Sequence, residues 1–302
     1  MQKIKWGIIG PGSIANAFAH SIKHSQNSEL TGVFGRTKAK TNNFAQLFNI
    51  QSFGSLQDFL SSKDIDAVYV ATPHSDHFLY SLEAIKHHKH VLCEKPLTMN
   101  AHESMILLDL AHSLKVFLME AYMYRVHPQT LNILNHLSLF DESNEKILIE
   151  GSFGFKAEVS SDHRLRDPLL GGGAILDVGC YPLSMCKLIA GHLQDLPFAE
   201  PKSISAAGRL DKTGVDLQSD AHLIFSDQIE AKISCAIDEQ LPNKLVISNS
   251  DITIAVSDPW HCGQFHEGKS SIFVNHVSGS IEEISFDDEV GLFTREIEHA
   301  SS

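Results

Sequence analysis

"KIKWGIIGPGSIANAFAHSIKH", Lys3 to His24, sets an apolar run against a glycine turn and then a run with helical spacing. Lys3 to Gly10 reads as a buried strand, and Ile14, Ala17, Phe18 and Ile22 keep to one side of a helix. The turn between them contains G-x-G-x-x-A: Gly10 takes the tight turn, Gly12 leaves room for a pyrophosphate, and Ala15 lets the helix pack closely. The helix start offers unpaired N–H groups and a favourable dipole to that phosphate, so Gly10, Gly12, Ser13 and Ile14 are predicted to hold a dinucleotide. A tight turn in any α/β protein shares these glycines. The pattern gains weight here from the strand before it and the helix after it.

Outward from this turn the alternation continues. "LTGVFGR" reads as a second strand ending at Arg36, "TKAKTNNFAQLFN" as a helix, "IDAVYVAT" (Ile65 to Thr72) as a strand and "DHFLYSLEAIKHH" as a helix. "HVLCE" and "VFLMEAY" are further apolar runs separated by the helical "NAHESMILLDLAHSL". Strands alternating with helices indicate a parallel sheet covered on both faces. The fold class is therefore α/β, with a Rossmann-type doubly wound domain over residues 1–120.

An acidic residue after the second strand would accept the ribose hydroxyls of NAD, but this chain has "VFGRT", ending in Arg36 and Thr37. An arginine suits the extra 2′-phosphate of NADP, so NADP is the favoured cofactor and NAD a second acceptable one. The third strand ends in "ATPHSDH", which places Thr72, Pro73, His74 and His77 beside the nicotinamide half of the cofactor. The next ends in Glu94-Lys95-Pro96, where charge would be costly inside a central strand but is usable at its carboxyl end. Lys95 there can hydrogen-bond a substrate hydroxyl and favour its deprotonation, and Glu94 can orient either the lysine or the cofactor ribose.

Composition narrows the partners. With 24 basic against 37 acidic residues and a net charge of -13, there is no basic tract to neutralise a phosphate backbone, so nucleic acid is not expected. The five cysteines show no C-x-x-C or zinc-knuckle spacing, which suits a reducing, cytoplasmic setting. A strand begins almost at residue 1, and neither a signal peptide nor a membrane span is expected.

After "MEAYMYRVHPQTLNIL" a helix leads toward "EKILIEGSFGFKAEV", and strand-like runs then dominate: "KSISAAGRLD", "DLQSDAHLIF", "QIEAKISCAI", "NKLVISNSDITIAV" and "SSIFVNHVSG". They predict an α+β domain over residues 121–302 with a large, mainly antiparallel sheet, one face of which is suited to a homodimer or higher homo-oligomer. "AILDVGCYPLSM" reads as a helix despite Gly179, with Asp177 and Tyr181 four apart on one face. A tyrosine can pass a proton to or from a substrate oxygen, and a lysine nearby would help it. In "SSDHRLRDP", His163, Arg164 and Arg166 either approach the substrate or form a solvent-facing loop.

The glycine turn at Gly10 to Ala15, "ATPHSDH", "EKP" at 94–96, "EAYMYRVHP" at 120–128, "GGGAILDVGCYPL" at 171–183 and "TGVD" at 213–216 together resemble one large family. It is the NAD(P)-dependent family named after glucose-fructose oxidoreductase, inositol dehydrogenase and a rhizopine-catabolism protein (Gfo/Idh/MocA), and the resemblance covers nearly the whole chain. It implies hydride transfer to or from a CH–OH or carbonyl carbon of a sugar, polyol or cyclic diol. Many members end the D-x-G-x-H pattern in histidine, whereas this chain has Tyr181. That departure resembles the branch of dimeric dihydrodiol dehydrogenase and NADP-dependent D-xylose dehydrogenase, in which a tyrosine is the acid/base and a lysine assists. Similar chains continue further past "LFTREIEHASS", so either this last helix packs unusually or this sequence is shorter than the full chain.

The resemblance therefore implies catalysis by Tyr181 and Lys95, with Asp177 binding a neighbouring hydroxyl or orienting the pair, and with no metal required. Lys95, Asp177, Tyr181, His163 and Arg164 are the expected substrate contacts. An aromatic diol would need an apolar wall, for which Tyr122, Tyr124 and Phe153 are candidates. Two rivals stand beside this expectation: a catalytically silent NADP(H)-binding sensor or scaffold, and an enzyme that uses its cofactor transiently for elimination or glycoside hydrolysis. The sensor has no need for Lys95 and Tyr181 together.

Overall fold

The computed structural model describes residues 3–140 and 145–302. The chain forms two compact units, Met1–Met123 with Phe293–Ser302, and Tyr124–Leu292. The division expected after residue 120 thus falls after Met123, and the last ten residues rejoin the first unit.

In the first unit the order is β1 (Ile4–Ile9), α1 (Ser13–Ser21), β2 (Ser28–Phe34), α2 (Lys38–Phe48), β3 (Gln51–Phe53), α3 (Leu56–Ser61), β4 (Ala67–Val70), α4 (His74–Lys86), β5 (His90–Glu94), α5 (Ala101–Leu114) and β6 (Leu118–Ala121). All six strands pair in parallel, in the order β3-β2-β1-β4-β5-β6. The direction of winding reverses between β1 and β4, so their carboxyl ends open a crevice. Alternation along β1 sends Trp6 and Ile8 into one core layer, with Phe18, Val33, Tyr69 and Leu92, and Ile9 into the other, with Phe59, Val68, Val70, Ile85 and Leu107. Each such buried aromatic or aliphatic side chain contributes roughly 1.5–3 kcal/mol.

The second unit begins with α6 (Pro128–His136), which His127 caps through Gln129 N–H, and continues through β7 (Ile147–Gly154), α7 (Cys180–His192), β8 (Ser203–Leu210), β9 (Asp216–Ile224), β10 (Ile229–Ala236), β11 (Lys244–Ser248), β12 (Ile252–Val256), β13 (Lys269–His276) and β14 (Ile281–Asp287). Its eight strands are ordered β14-β13-β12-β11-β7-β10-β9-β8, antiparallel except for β7 with β10. The run "NKLVISNSDITIAV" is a hairpin, β11 and β12, turned at Asn249, whose side chain accepts from Asp251 N–H and Ile252 N–H. The stretch Pro168–His192 is long and apolar enough by length and composition alone to cross a membrane, but α7 packs on β7 and β10 as a core helix does.

The last helix, α8 (Leu292–Ala300), lies from Phe293 onward against the first unit. Thr294 donates to Ser21 O at 3.1 Å, Glu298 accepts from Gln26 N–H at 2.8 Å, and Trp6 Nε1 donates to Ser301 at 3.0 Å.

Candidate active site

The candidate residues of the first unit lie at strand ends. Gly10 has φ +96°, where a side chain is strained, and a Cβ there would lie 2.7 Å from Ala71 O. Gly12 caps α1 with no side-chain hydrogen bond, a Cβ on it would meet nothing within 4 Å, and Ser13 and Ile14 open the helix exposed. The first turn of α1 carries no acidic side chain. Open N–H groups, space for close approach and absence of nearby negative charge fit a pyrophosphate. Thr72 Oγ1 adds a buried hydroxyl that has no hydrogen-bond partner among the described residues. Arg36 is exposed after β2, with Thr37 capping α2.

Lys95 sits in a turn anchored from several sides. It follows Glu94 at the end of β5 and precedes Pro96 through a cis peptide bond. His77 Nδ1 lies 2.7 Å from Pro96 O and its Nε2 lies 2.9 Å from Thr72 O, while Leu97 N–H donates to Glu120 at 2.8 Å. Tyr69 donates to Glu94 from within the core. His77 was expected at the cofactor, but it is fully buried with both ring nitrogens against backbone carbonyls. It therefore ties the β4 turn to the Lys95 turn instead. Burial holds its pKa below the ordinary histidine value in spite of those carbonyls. His74, at the start of α4, is also buried, with its ring 5.7 Å from that of His77.

Burial raises the Glu94 carboxyl above its usual range, and the Lys95 charge and the Tyr69 hydroxyl oppose that shift. A second acid, Glu296 on α8, is fully buried, and neither of its oxygens has a hydrogen-bond partner among the described residues. Burial and then the Glu94 charge push its pKa well above the usual carboxylate range, which favours the protonated acid.

The candidate residues of the second unit are gathered as side chains. The turn Ile175–Gly179 is π-helical rather than α-helical and runs into α7, which begins at Cys180. Gly179 is needed there because a Cβ would lie 2.7 Å from Cys235 Sγ on β10. Asp216 of "TGVD" supports the turn by accepting from Ile175 N–H at 2.8 Å and from the Ser219 hydroxyl at 3.2 Å. Asp177 is buried and accepts from Arg164 Nη1 at 3.0 Å, so Arg164 of the disputed loop has a defined partner. Arg166 pairs instead with Asp211 at 3.6 Å, and His163 is exposed, accepting from Leu165 N–H.

Tyr181 is 7% exposed and ringed by aromatics, with centroid distances of 5.2 Å to Phe153, 5.8 Å to Tyr124 and 6.2 Å to Trp260. Of the three wall candidates, Phe153 and Tyr124 are thus beside Tyr181, whereas Tyr122 belongs to the first unit. Burial pushes the Tyr124 phenol up to about 12, so it stays protonated. Trp260 and His261 were not anticipated. They come from "DPWHCGQFHEG", where Asp258 accepts from Gly263 N–H at 2.9 Å and from His261 N–H at 3.3 Å, and the His261 ring meets Phe153 edge-on at 5.4 Å. Burial would raise the Asp258 carboxyl, but His261 and the Gly263 N–H outweigh it and hold it below the usual range.

Residues 4–122 match the model for the oxidoreductase family with an NAD-binding Rossmann fold, and residues 145–255 match the GFO/IDH/MocA C-terminal domain. The chain belongs to the GFO/IDH/MocA family. Within this family it is 34% identical to trans-1,2-dihydrobenzene-1,2-diol dehydrogenase of Xenopus tropicalis, over 85% of this chain and 76% of that one. It is 30% identical to the NADP(+)-linked D-xylose 1-dehydrogenase of Hypocrea jecorina, over 70% of this chain and 60% of that one. The fold matches a 3-ketoreductase from Actinomadura kijaniata solved with NADP and TDP-benzene, at TM-score 0.86 and 21% identity over 99% of this chain and 89% of that one. An aldose-aldose oxidoreductase from Caulobacter crescentus, at 20% identity, matches with TM-score 0.85 over the same shares. As a GFO/IDH/MocA member the protein is an NAD(P)-dependent oxidoreductase with a Rossmann unit followed by a sheet-rich unit. Among its described residues no group of three or more His, Cys, Asp and Glu side chains is placed to hold a metal ion.

Proposed function

We propose that this protein oxidises, or in reverse reduces, a CH–OH carbon of a sugar, polyol or cyclic diol with a preference for NADP(H), and that Tyr181 is the acid/base. The aromatic enclosure of Tyr181, beside the Arg164–Asp177 pair, carries this proposal. A phenol largely withdrawn from water exchanges its proton with a bound substrate rather than with solvent. The similarity to dihydrodiol and D-xylose dehydrogenases supports the substrate class.

Gly10, Gly12, Ser13 and Ile14 would hold the pyrophosphate, Arg36 and Thr37 the 2′-phosphate, and Thr72, Pro73, His74 and Glu94 the nicotinamide half. The bound nicotinamide supplies the hydride acceptor or donor. Lys95 offers its positive charge to the substrate oxygen as Tyr181, in its phenolate form, accepts the hydroxyl proton at Oη, and in reduction the Tyr181 phenol returns it. Asp177, with one oxygen engaged by Arg164, accepts from a neighbouring substrate hydroxyl. Phe153 and Trp260 suit the apolar face of a ring.

We also infer self-association through the second unit's sheet, because β8 is exposed along its whole length and presents Ile204 and Leu210 at 62% and 67% exposure. A reducing, cytoplasmic setting suits five cysteines that show no C-x-x-C or zinc-knuckle spacing. The test is NADPH formation by the purified protein with D-xylose, D-glucose, inositol and trans-1,2-dihydrobenzene-1,2-diol, in parallel with NAD+. Turnover favouring NADP+ is expected. Cofactor binding without turnover on any of them would count against the substrate class.

A further inference from the structure

The Arg36 guanidinium is already engaged. Its Nη2 lies 3.0 Å from Asp76 Oδ2, with side-chain exposures of 67% and 21%. That carboxylate oxygen is shielded from solvent and, outside this ion pair, has no hydrogen-bond partner among the described residues. Arg36 follows β2 and Asp76 lies in the first turn of α4, so the pair joins the turns after the two strands that flank β1. Tyr80, one turn further along α4 and 8% exposed, senses both charges. Burial and Asp76 raise its phenol pKa while Arg36 lowers it.

One guanidinium cannot fully satisfy two anions. A 2′-phosphate drawn to Arg36 meets the like charge of Asp76, and any movement of Arg36 toward it strands a carboxylate oxygen that solvent does not reach. A cofactor lacking the 2′-phosphate incurs neither penalty. We propose, on the premise that Arg36 faces the 2′-phosphate, that Asp76 is a specificity-determining residue that limits the preference for NADP(H) over NAD(H) by competing for the Arg36 guanidinium. In this position a carboxylate makes the protein more tolerant of both cofactors than its arginine alone implies.

The experiment measures dissociation constants of NADPH and NADH by cofactor fluorescence for the full-length wild type, Asp76→Asn, Asp76→Ser and Arg36→Ala. Asp76→Asn is expected to tighten NADPH by about tenfold, less at high salt, and to leave NADH little changed. Asp76→Ser moves the ratio the same way. Arg36→Ala weakens NADPH by about tenfold with little effect on NADH. If Arg36→Ala acts as stated but both Asp76 variants leave the affinity preference for NADPH over NADH unchanged or lower it, Asp76 merely orients Arg36 and the inference is wrong while the role of Arg36 stands. If Arg36→Ala leaves the ratio unchanged, both fall.

Discussion

The cofactor end of the first unit and the surroundings of Tyr181 in the second are built on different principles. At the carboxyl ends of β1, β2, β4 and β5 the functional features are largely backbone: the positive φ of Gly10, the start of α1 with no side-chain cap, and a Lys95 turn held through the carbonyl of Pro96 and the N–H of Leu97. Around Tyr181 they are side chains gathered from β7, α7 and the loop after β12, namely Phe153, Tyr181, Trp260 and His261. A backbone-built site tolerates varied neighbours and so serves one cofactor with different substrates. A side-chain-built site changes its preference with each ring that lines it.

That contrast can be broken experimentally. Lys95→Ala should lower turnover by about a hundredfold or more, with NADPH affinity within a few-fold of wild type. Steady-state kinetics alongside cofactor fluorescence check it, and an equal loss in both would make Lys95 a cofactor residue only. Trp260 is fully buried and donates to Ser152 O at 2.9 Å, so Trp260→Ala should cost about 3–5 kcal/mol in the stability of the second unit while leaving NADPH binding intact. Denaturation curves with and without NADPH separate the two. Gly10→Ala forces a Cβ into the left-handed region against Ala71 O and should weaken NADPH about tenfold.

The smallest effect concerns Glu296. Its pKa is raised in the folded protein, so the native state holds more protons than the unfolded chain, and stability falls as pH rises above about 4.3, the unfolded carboxyl value. Glu296→Gln should therefore melt higher than wild type at pH 8, by about 2–4 °C, and show little difference near pH 4. A melting difference independent of pH would mean that the Glu296 pKa is not raised in the fold.

The same contrast decides what the sequence makes legible. The Rossmann unit could be read because strand, glycine turn and helix are contiguous, and the Lys95 turn because a charge before a proline has few other places to sit. β3 escaped notice because it has only three residues, and β14, "IEEISFD", because an exposed edge strand carries charges where a buried one shows an apolar run. Tyr181 and Asp177 were marked by their motif, although the turn beneath them is π-helical. Trp260 and His261 carried no local signal, since their placement depends on pairing across the sheet and on Asp258 closing its loop. The α8 helix was visible from its spacing, but its return to the first unit rests on contacts with Trp6, Ser21 and Gln26 that no local pattern encodes.

The measurement closest to the central claim is the kinetics of Tyr181→Phe, a change that keeps the ring packed among Phe153, Tyr124 and Trp260 and removes only the hydroxyl. With the substrate that supports turnover, kcat should fall by about 10²–10⁴-fold while NADPH affinity and melting temperature stay close to wild type. Near-normal turnover by that variant would contradict the assignment of Tyr181 as the acid/base.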